Sequence, residues 1–305
     1  MKRFLITLLS ATLLLTGCRN GQETRDDEAE RIADSLALHV AVMPVISALP
    51  VYYAQCIGLT DSVGLDMRLL HHTSQMDIDT TVVNGHAELY LTDAFRLAFM
   101  PKECALRPVA QGTEPLSFYA HKNLRVTKLN QLKERMVAIA RHSVTDAWMD
   151  HLLDSVKLPT NDVYRPQIND VHVRFDMLRT ELMETAILTE PYASCIAQEG
   201  HKRLANIEEG IYATSLWVGA DTLANDAHRK QQIEQFIDMY NRAVRQMNAG
   251  MNTDTVRVIL CREYALPQEM VDSLTLLQLT SIAQPDSALS DRAKAWMNVR
   301  QKARK

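Results

Sequence analysis

Short β-rich runs alternate with helical segments along this chain, and the alternation occurs twice. The first series contains β-rich runs at 38–43, 65–70 and 87–91, each followed by a helical segment. The second series has β-rich runs at 136–140, 164–168 and 186–188, and a helical segment is expected at 176–183. Such alternation predicts βαβ units and a largely parallel sheet. We therefore expect two similar α/β lobes, followed by helices near 227–250, 253–264, 267–273 and 290–300.

The bulk composition is that of an ordinary globular protein. Hydrophobic residues make up 47% of the chain and charged residues 23%. The 33 basic side chains are outnumbered by 37 acidic ones, and no basic stripe is present. A nucleic-acid partner is therefore not expected.

The N-terminus predicts export and a lipid anchor. Lys2 and Arg3 precede a mostly apolar run at 4–15, which is the order of a secretory signal and is too short to span a bilayer. The sequence Leu15-Thr16-Gly17-Cys18 resembles the lipobox of bacterial lipoproteins, which implies that Cys18 is acylated. We predict a signal peptide at 1–17, then lipidated Cys18 and a polar tether at 18–37. The domain would face the periplasm or the cell exterior, anchored to a bacterial membrane; an uncleaved or ordinary signal peptide is the alternative.

Four further cysteines are scattered along the chain, at positions 56, 104, 195 and 261. Outside the cytoplasm they could form disulfides, although buried free thiols are common in apolar stretches such as theirs. No CxxC pair occurs, so neither a metal site nor a cofactor is expected.

Several short motifs resemble one family of transport proteins. Residues 38–59 (LHVAVMPVISALPVYYAQCIGL) are similar to the opening of solute-binding proteins for nitrate, sulfonates, taurine and thiamine-pyrimidine precursors. The stretches 64–66 (GLD), 84–93 (NGHAELYLTD), 129–140 (LNQLKERMVAIA) and 188–193 (LTEPYA) follow in the family's order. That order carries the resemblance more than any single motif.

The resemblance implies a type II periplasmic-binding-protein fold. Each of its two lobes would be a mostly parallel sheet flanked by helices. Lobe 1 would comprise 38–120 with 211–305 and lobe 2 would comprise 121–210, with crossover segments near 118–124 and 210–216. It further implies a monomeric, non-enzymatic solute-binding lipoprotein. Such a protein captures a small polar or anionic organic metabolite and delivers it to the permease of an ABC importer.

The family's ligand positions carry over to side chains that follow strands or begin helices. In this architecture, ligands meet helix N-termini and the ends of strands. The predicted ligand-binding residues are Ser47, Thr73, Thr92, Asp93, Arg141, Ser143, Val144, Glu190 and Tyr192. Other roles stay open for them: helix capping for Ser143, Asp93 and Glu190, a surface salt bridge for Arg141, and core packing for Tyr192.

Two other functions are compatible with the same fold. One is an enzyme related to thiamine-pyrimidine synthesis or to menaquinone-pathway dehydratases; export and the lack of a GxSxG or HExxH motif argue against it. The other is a receptor lipoprotein that has lost ligand binding, an idea suggested by unusual residues such as Glu134-Arg135.

Overall fold

The computed structural model describes residues 31, 34–275 and 277–302. The predicted signal peptide, Cys18 and most of the predicted tether lie outside the described residues. The chain divides into two compact units, residues 1–37 and 38–305. All the strands and helices named below belong to the second unit.

The strands of this unit form two sheets. They are β1 (Leu38–Val42), β2 (Met67–His71), β3 (Leu89–Thr92), β4 (Leu106–Thr113), β5 (Leu116–Ala120), β6 (Val137–Ala138), β7 (Thr185–Thr189), β8 (Lys202–Ile207) and β9 (Thr214–Ala220). The first sheet has the order β2-β1-β3-β9-β4 and the second β6-β7-β5-β8. We call the part of the unit built on the first sheet lobe 1, and the part built on the second sheet lobe 2.

Helices connect and cover the strands. They are α1 (Leu49–Cys56), α2 (Leu59–Ser62), α3 (Gln75–Val83), α4 (Ala94–Phe99), α5 (Val144–Ser155), α6 (Val171–Arg179), α7 (Tyr192–Gln198), α8 (Ala227–Asn248), α9 (Thr253–Glu263), α10 (Gln268–Ser273) and α11 (Ser287–Lys302). The two-sheet α/β architecture predicted from the sequence is thus confirmed.

Each sheet is mixed, however, and not mostly parallel as predicted. Strand β1 pairs in parallel with β2 and β3, and β6 pairs in parallel with β7. The other pairings, which involve β4, β5, β8 and β9, are antiparallel. The reason is that 106–120 and 202–220 are two nearly continuous extended segments that run in opposite directions through both sheets. Antiparallel neighbours of this kind need no helical crossover.

The first crossover between the lobes comes earlier than predicted. It consists of Glu114 and Pro115, between β4 and β5, and β5 pairs with strands of the second sheet. The sequence predicts this crossover near 118–124 and assigns residues up to 120 to lobe 1. The return passage, residues 208–213 between β8 and β9, overlaps the predicted one at 210–216.

Local sequence explains where the helices begin. The carboxylate of Asp226 accepts hydrogen bonds from the backbone N–H groups of His228 (2.8 Å) and Arg229 (3.2 Å), which starts α8. One stripe of α8 is buried, and it includes Phe236 and Tyr240 at i, i+4 spacing. Phe236 packs edge-on against Trp217 of β9 at 4.8 Å between ring centroids. Burial of side chains this large contributes about 2–3 kcal/mol each, so α8 is firmly attached to the first sheet.

Residues 164–168 and the helix after them differ from the prediction. Instead of a strand, this stretch makes isolated parallel bridges between Met136 and Tyr164 and between Ile139 and Gln167. The following helix, predicted at 176–183, begins at Val171 because the side chain of Asp170 caps it, accepting from the Val173 N–H at 2.8 Å.

Two features hold for the described part of the chain as a whole. Cys56, Cys104, Cys195 and Cys261 are free thiols. No helix there has the length and apolar character needed to cross a membrane.

Candidate ligand-binding site

A cavity of about 60 Å³ lies where the two lobes face each other. Lobe 1 contributes Met43, Val45, Ser47, Gln75, Leu91, Thr92, Asp93, Thr214 and Ser215; lobe 2 contributes Leu116, Ala140, Ser143, Val144, Thr145, Asn169, Val171, Arg174 and Thr189; the first crossover contributes Glu114. Because the carboxyl ends of parallel strands meet at one edge of a sheet, the loops after β1 and β3 come together here.

Direct contacts between the lobes surround the cavity. The Val171 N–H donates to the Thr73 carbonyl at 3.3 Å, and Ser74 forms a bridge with Asp170. On another side, the guanidinium of Arg96 donates to the Arg141 carbonyl at 2.9 Å. These contacts hold the cleft in a closed arrangement, which explains why the cavity is small compared with ordinary ligand pockets of roughly 300–1,000 Å³.

The start of α5 forms one wall. The Ser143 hydroxyl accepts from the Thr145 N–H at 3.2 Å and donates to the Ala140 carbonyl at 2.7 Å. The Thr145 hydroxyl in turn accepts from the Ala140 N–H at 3.0 Å. Both hydroxyls are therefore engaged with the backbone of this turn, as the capping alternative for Ser143 anticipated.

Asp93 of lobe 1 lies opposite that wall. Its carboxylate accepts from the N–H groups of Phe95 and Arg96, each at 2.9 Å, and so caps α4. Burial raises the pKa of Asp93 to about 6, while the N–H groups of Arg96, Val144 and Phe95 favour the ionised form. Asp93 is thus chiefly occupied by helix ends, one of which belongs to lobe 2.

Glu114 is the acidic group of the first crossover and is 8% exposed. Its Oε2 accepts from the Ser47 N–H at 3.0 Å and from the Ser47 hydroxyl. Its Oε1 is buried and has no hydrogen-bond partner among the described residues. Burial raises the pKa of Glu114 to about 8, an effect opposed by the bonds from Ser47 and Ile46 and reinforced by the charge of Glu190.

Arg174 of α6 is the buried cation, with 3% exposure. Its Nη1 donates to the Ile168 carbonyl at 2.8 Å, which fixes the guanidinium, and its buried Nε has no partner in the described part of the chain. Burial lowers the pKa of Arg174 to about 10, partly offset by Asp170, so the side chain remains charged at neutral pH.

Several residues that line this cavity carry buried polar side-chain atoms without a partner in the described part of the chain. Those without a hydrogen-bond partner among the described residues are Gln75 Oε1, Thr92 Oγ1, Glu114 Oε1, Arg174 Nε and Ser215 Oγ. A buried polar atom without a partner costs roughly 1–3 kcal/mol, and native proteins contain few of them. Five such atoms around one cavity mark a place where a polar ligand would supply the missing bonds.

The structure brings five of the predicted residues to the cavity and leaves four outside its lining. Ser47, Thr92, Asp93, Ser143 and Val144 line it. The others have different surroundings: the exposed residues Thr73 and Arg141 contribute backbone carbonyls to interlobe bonds, and Glu190 accepts from the Ser194 N–H at 3.1 Å. Tyr192 is buried in the core, where its hydroxyl donates to the Tyr264 carbonyl at 2.9 Å.

Sequence reasoning missed the most polar residues of the site, Glu114, Arg174 and Gln75. Glu114 precedes a proline at a lobe crossover, but β4 and β5 were not recognised and so the crossover was misplaced. Arg174 was detectable as a charge on an apolar helical face, since it lies three residues after Val171 and four before Leu178. Gln75 is the first residue of α3, directly after its cap Ser74.

Comparison with solved structures identifies the fold. The alkanesulfonate-binding protein of Xanthomonas axonopodis pv. citri, bound to MOPS, superposes with a TM-score of 0.70 at 15% identity, over 88% of this chain and 93% of that one. The periplasmic nitrate-binding protein of Synechocystis gives 0.63 at 12% identity, over 82% and 73%. PhnD1 of Prochlorococcus marinus, in complex with methylphosphonate, gives 0.59 at 10% identity, over 87% and 98%.

This chain has the periplasmic-binding-protein fold. The fold predicted from the short motifs is therefore confirmed, and its similarity to sulfonate- and nitrate-binding proteins is confirmed at the structural level. No protein-family model and no curated protein matches the sequence. At 10–15% identity the likeness shows the fold alone, so function has to be argued from the site.

Proposed function

We propose that this protein is an extracytoplasmic solute-binding lipoprotein, not an enzyme, and that it captures a small polar organic metabolite between its lobes for an ABC importer. The observation that carries the proposal is the interlobe cavity, to which both lobes and a crossover contribute buried polar atoms that lack partners among the described residues. Such an arrangement suits a ligand enclosed by closure of two lobes.

Two further observations support the proposal. The structural neighbours are described as binding proteins for alkanesulfonate, nitrate and methylphosphonate. The lipobox-like sequence ending at Cys18 would keep a monomeric binding domain at the membrane, close to the permease. The lobe boundaries best suited to this function are the two crossovers, 114–115 and 208–213.

Ligand-dependent thermal stabilisation tests the proposal. The purified protein is screened with sulfonates, phosphonates, nitrate, amino acids, amines and aminopyrimidines. A true ligand at about 100 times its Kd stabilises the folded state by about 2.7 kcal/mol, which should raise the Tm by about 4 °C or more. No rise with any compound would refute the proposed function.

Two arginines of α6 provide the matched variants. Arg174→Gln removes the cation that lines the cavity and should abolish the ligand-induced rise, measured relative to the variant's own Tm. Arg179→Gln removes a half-buried arginine of the same helix that pairs with Asp176 at 3.1 Å, and it should keep the full response. Turnover of a bound compound by the unmodified protein would favour the enzyme alternative instead.

A further inference from the structure

Two acceptor oxygens in the cavity lining need hydrogen-bond donors. Glu114 Oε1 is one when the carboxyl group is ionised, because the Ser47 donors occupy only Oε2. Burial raises the pKa of this group to about 8, so Oε1 is an acceptor above that pH, and a cationic donor bound there would itself favour the ionised form. Gln75 Oε1 is the other, and its assignment as oxygen is secure because Nε2 of the same amide donates to the Asp79 carboxylate at 3.2 Å. Both side chains are at least nine-tenths buried, with 8% and 5% exposure. Water at the protein surface therefore cannot satisfy them.

One donor in the lining needs an acceptor. The Nε of Arg174 is buried and without a partner among the described residues, and the guanidinium is held in place by the Ile168 carbonyl. Among the residues that the structure describes, no salt bridge joins Arg174 to Glu114 or to any other carboxylate. A ligand that satisfies this site must therefore donate hydrogen bonds to Glu114 and Gln75 and, at a separate place, accept one from Arg174.

The balance of charge argues against a simple anion. Two carboxyl groups, Asp93 and Glu114, line the cavity together with one guanidinium. An anion without N–H or O–H groups could bond to Arg174, but it would leave Gln75 Oε1 unpaired. Above about pH 8 it would also place its negative charge beside the ionised carboxylate of Glu114. A ligand that leaves a buried acceptor unpaired binds much more weakly than one that supplies a donor, because the unpaired group costs free energy.

We propose that the ligand is a small nitrogen compound that presents N–H donors to Glu114 Oε1 and Gln75 Oε1 and an acceptor atom to Arg174 Nε. Ammonium groups, amidines and aromatic amines all provide such donors. This inference rests on the proposed function. The proposed ligand differs from those in the names of the structural neighbours, because simple alkylsulfonates, nitrate and alkylphosphonates lack the N–H groups that this site requires.

Paired compounds that differ by one amino group test the inference directly. We would titrate β-alanine against propionate, taurine against ethanesulfonate, and 4-aminopyrimidine against pyrimidine, by calorimetry on the unmodified protein at pH 8.5, above the pKa of Glu114. Since a hydrogen bond to a charged group is stronger than a neutral one, the amino member of a binding pair should bind at least tenfold more tightly.

A variant of Glu114 tests whether its carboxylate causes the preference for the amino member of each pair. Glu114→Gln, confirmed as folded by circular dichroism, should weaken binding of the amino member about tenfold or more and reduce the difference within the pair. Glu263→Gln is the control, because Glu263 is a largely buried carboxylate that pairs with His71 at 3.0 Å outside the cavity lining. It should leave the affinities unchanged.

The outcomes separate the inference from the function on which it rests. If propionate, ethanesulfonate or pyrimidine binds as tightly as its amino partner, or if Glu114→Gln changes nothing, the inference is wrong while solute binding stands. If none of these compounds binds and the wider screen also gives no thermal shift, the proposed function itself fails.

Discussion

At the scale of single residues, the protonation of Glu114 should control the pH dependence of stability. Burial raises its pKa from 4.5 to about 8 in the folded protein. Between these values the folded state holds a proton that the unfolded state has released. The free energy of unfolding should therefore fall as pH rises from about 4.5 to 8, by at most about 1.4 kcal/mol for each pH unit.

Glu114→Gln should remove this dependence. Without ligand, the variant should be more stable than the unmodified protein at pH 8.5, and the advantage should vanish at pH 4. Urea unfolding at both pH values measures it. Glu190, Tyr240 and Tyr264 interact electrostatically with Glu114, and Asp93 and Arg174 share its cavity. All five are present in both proteins, so the difference reports on Glu114. Equal pH profiles would contradict the assignment.

Tyr192 illustrates a predicted ligand contact that the structure places in the core. Its hydroxyl donates to the Tyr264 carbonyl at 2.9 Å, and its ring packs against Phe175 at 5.1 Å between centroids. Tyr192→Phe should lower the free energy of unfolding by about 1–2 kcal/mol, because it leaves a buried carbonyl unpaired. Ligand affinity should not change. A large loss of affinity with little loss of stability would restore the ligand-contact role.

At the scale of elements, α11 joins one helix from each lobe. Trp296 packs edge-on against Phe95 of α4 at 5.4 Å, and its Nε1 donates to Asp150 of α5 at 2.9 Å. Arg300 forms ion pairs with Asp150, at 3.0 Å, and with Asp146. Arg165 pairs with the same two carboxylates, at 2.7 Å from Asp150 and 2.9 Å from Asp146. The side chain of Asp146 is 3% exposed, so this ion cluster is largely shielded from solvent.

Arg300→Gln should therefore destabilise the protein by about 1–3 kcal/mol, because Asp146 and Asp150 would then share only the guanidinium of Arg165. The lower part of this range allows for partial exposure of Arg300. Arg292→Gln, at an exposed position of the same helix, should be nearly neutral. Denaturant unfolding of both variants provides the comparison, and equal midpoints would show that the cluster contributes no net stability.

Prediction of the elements succeeded where periodicity was strong and failed where it was weak. The segments that became β1, β3, α4 and α8 have clear apolar patterns and clear end signals, and they were recognised. Strand β4 contains a proline and a glycine, and β8 begins with two basic residues, so neither has the composition of a typical strand. Their extended form comes from antiparallel pairing with β9 and β5, which are distant in sequence.

At the scale of the whole molecule, the predicted lipid anchor has a direct test. Cys18→Ser removes the only thiol in the lipobox-like sequence, so the expressed protein should move from the membrane fraction to the soluble fraction. Cys104→Ser changes a free thiol in the folded domain and should leave the protein at the membrane. Detergent-phase partitioning and intact-mass measurement of both variants distinguish acylation from simple adsorption. An intact mass of the unmodified protein without acyl chains on Cys18 would exclude the anchor.

The sequence by itself determined the fold class, the two-lobe plan and five residues that line the cavity, because local periodicity, turn residues and short motifs record these features. Only the tertiary structure decided the mixed pairing of both sheets, the position of the first crossover, and the place of Glu114, Gln75 and Arg174 around one cavity. Burial, pKa shifts and unpartnered atoms depend on what distant segments place beside a side chain. No local pattern encodes them.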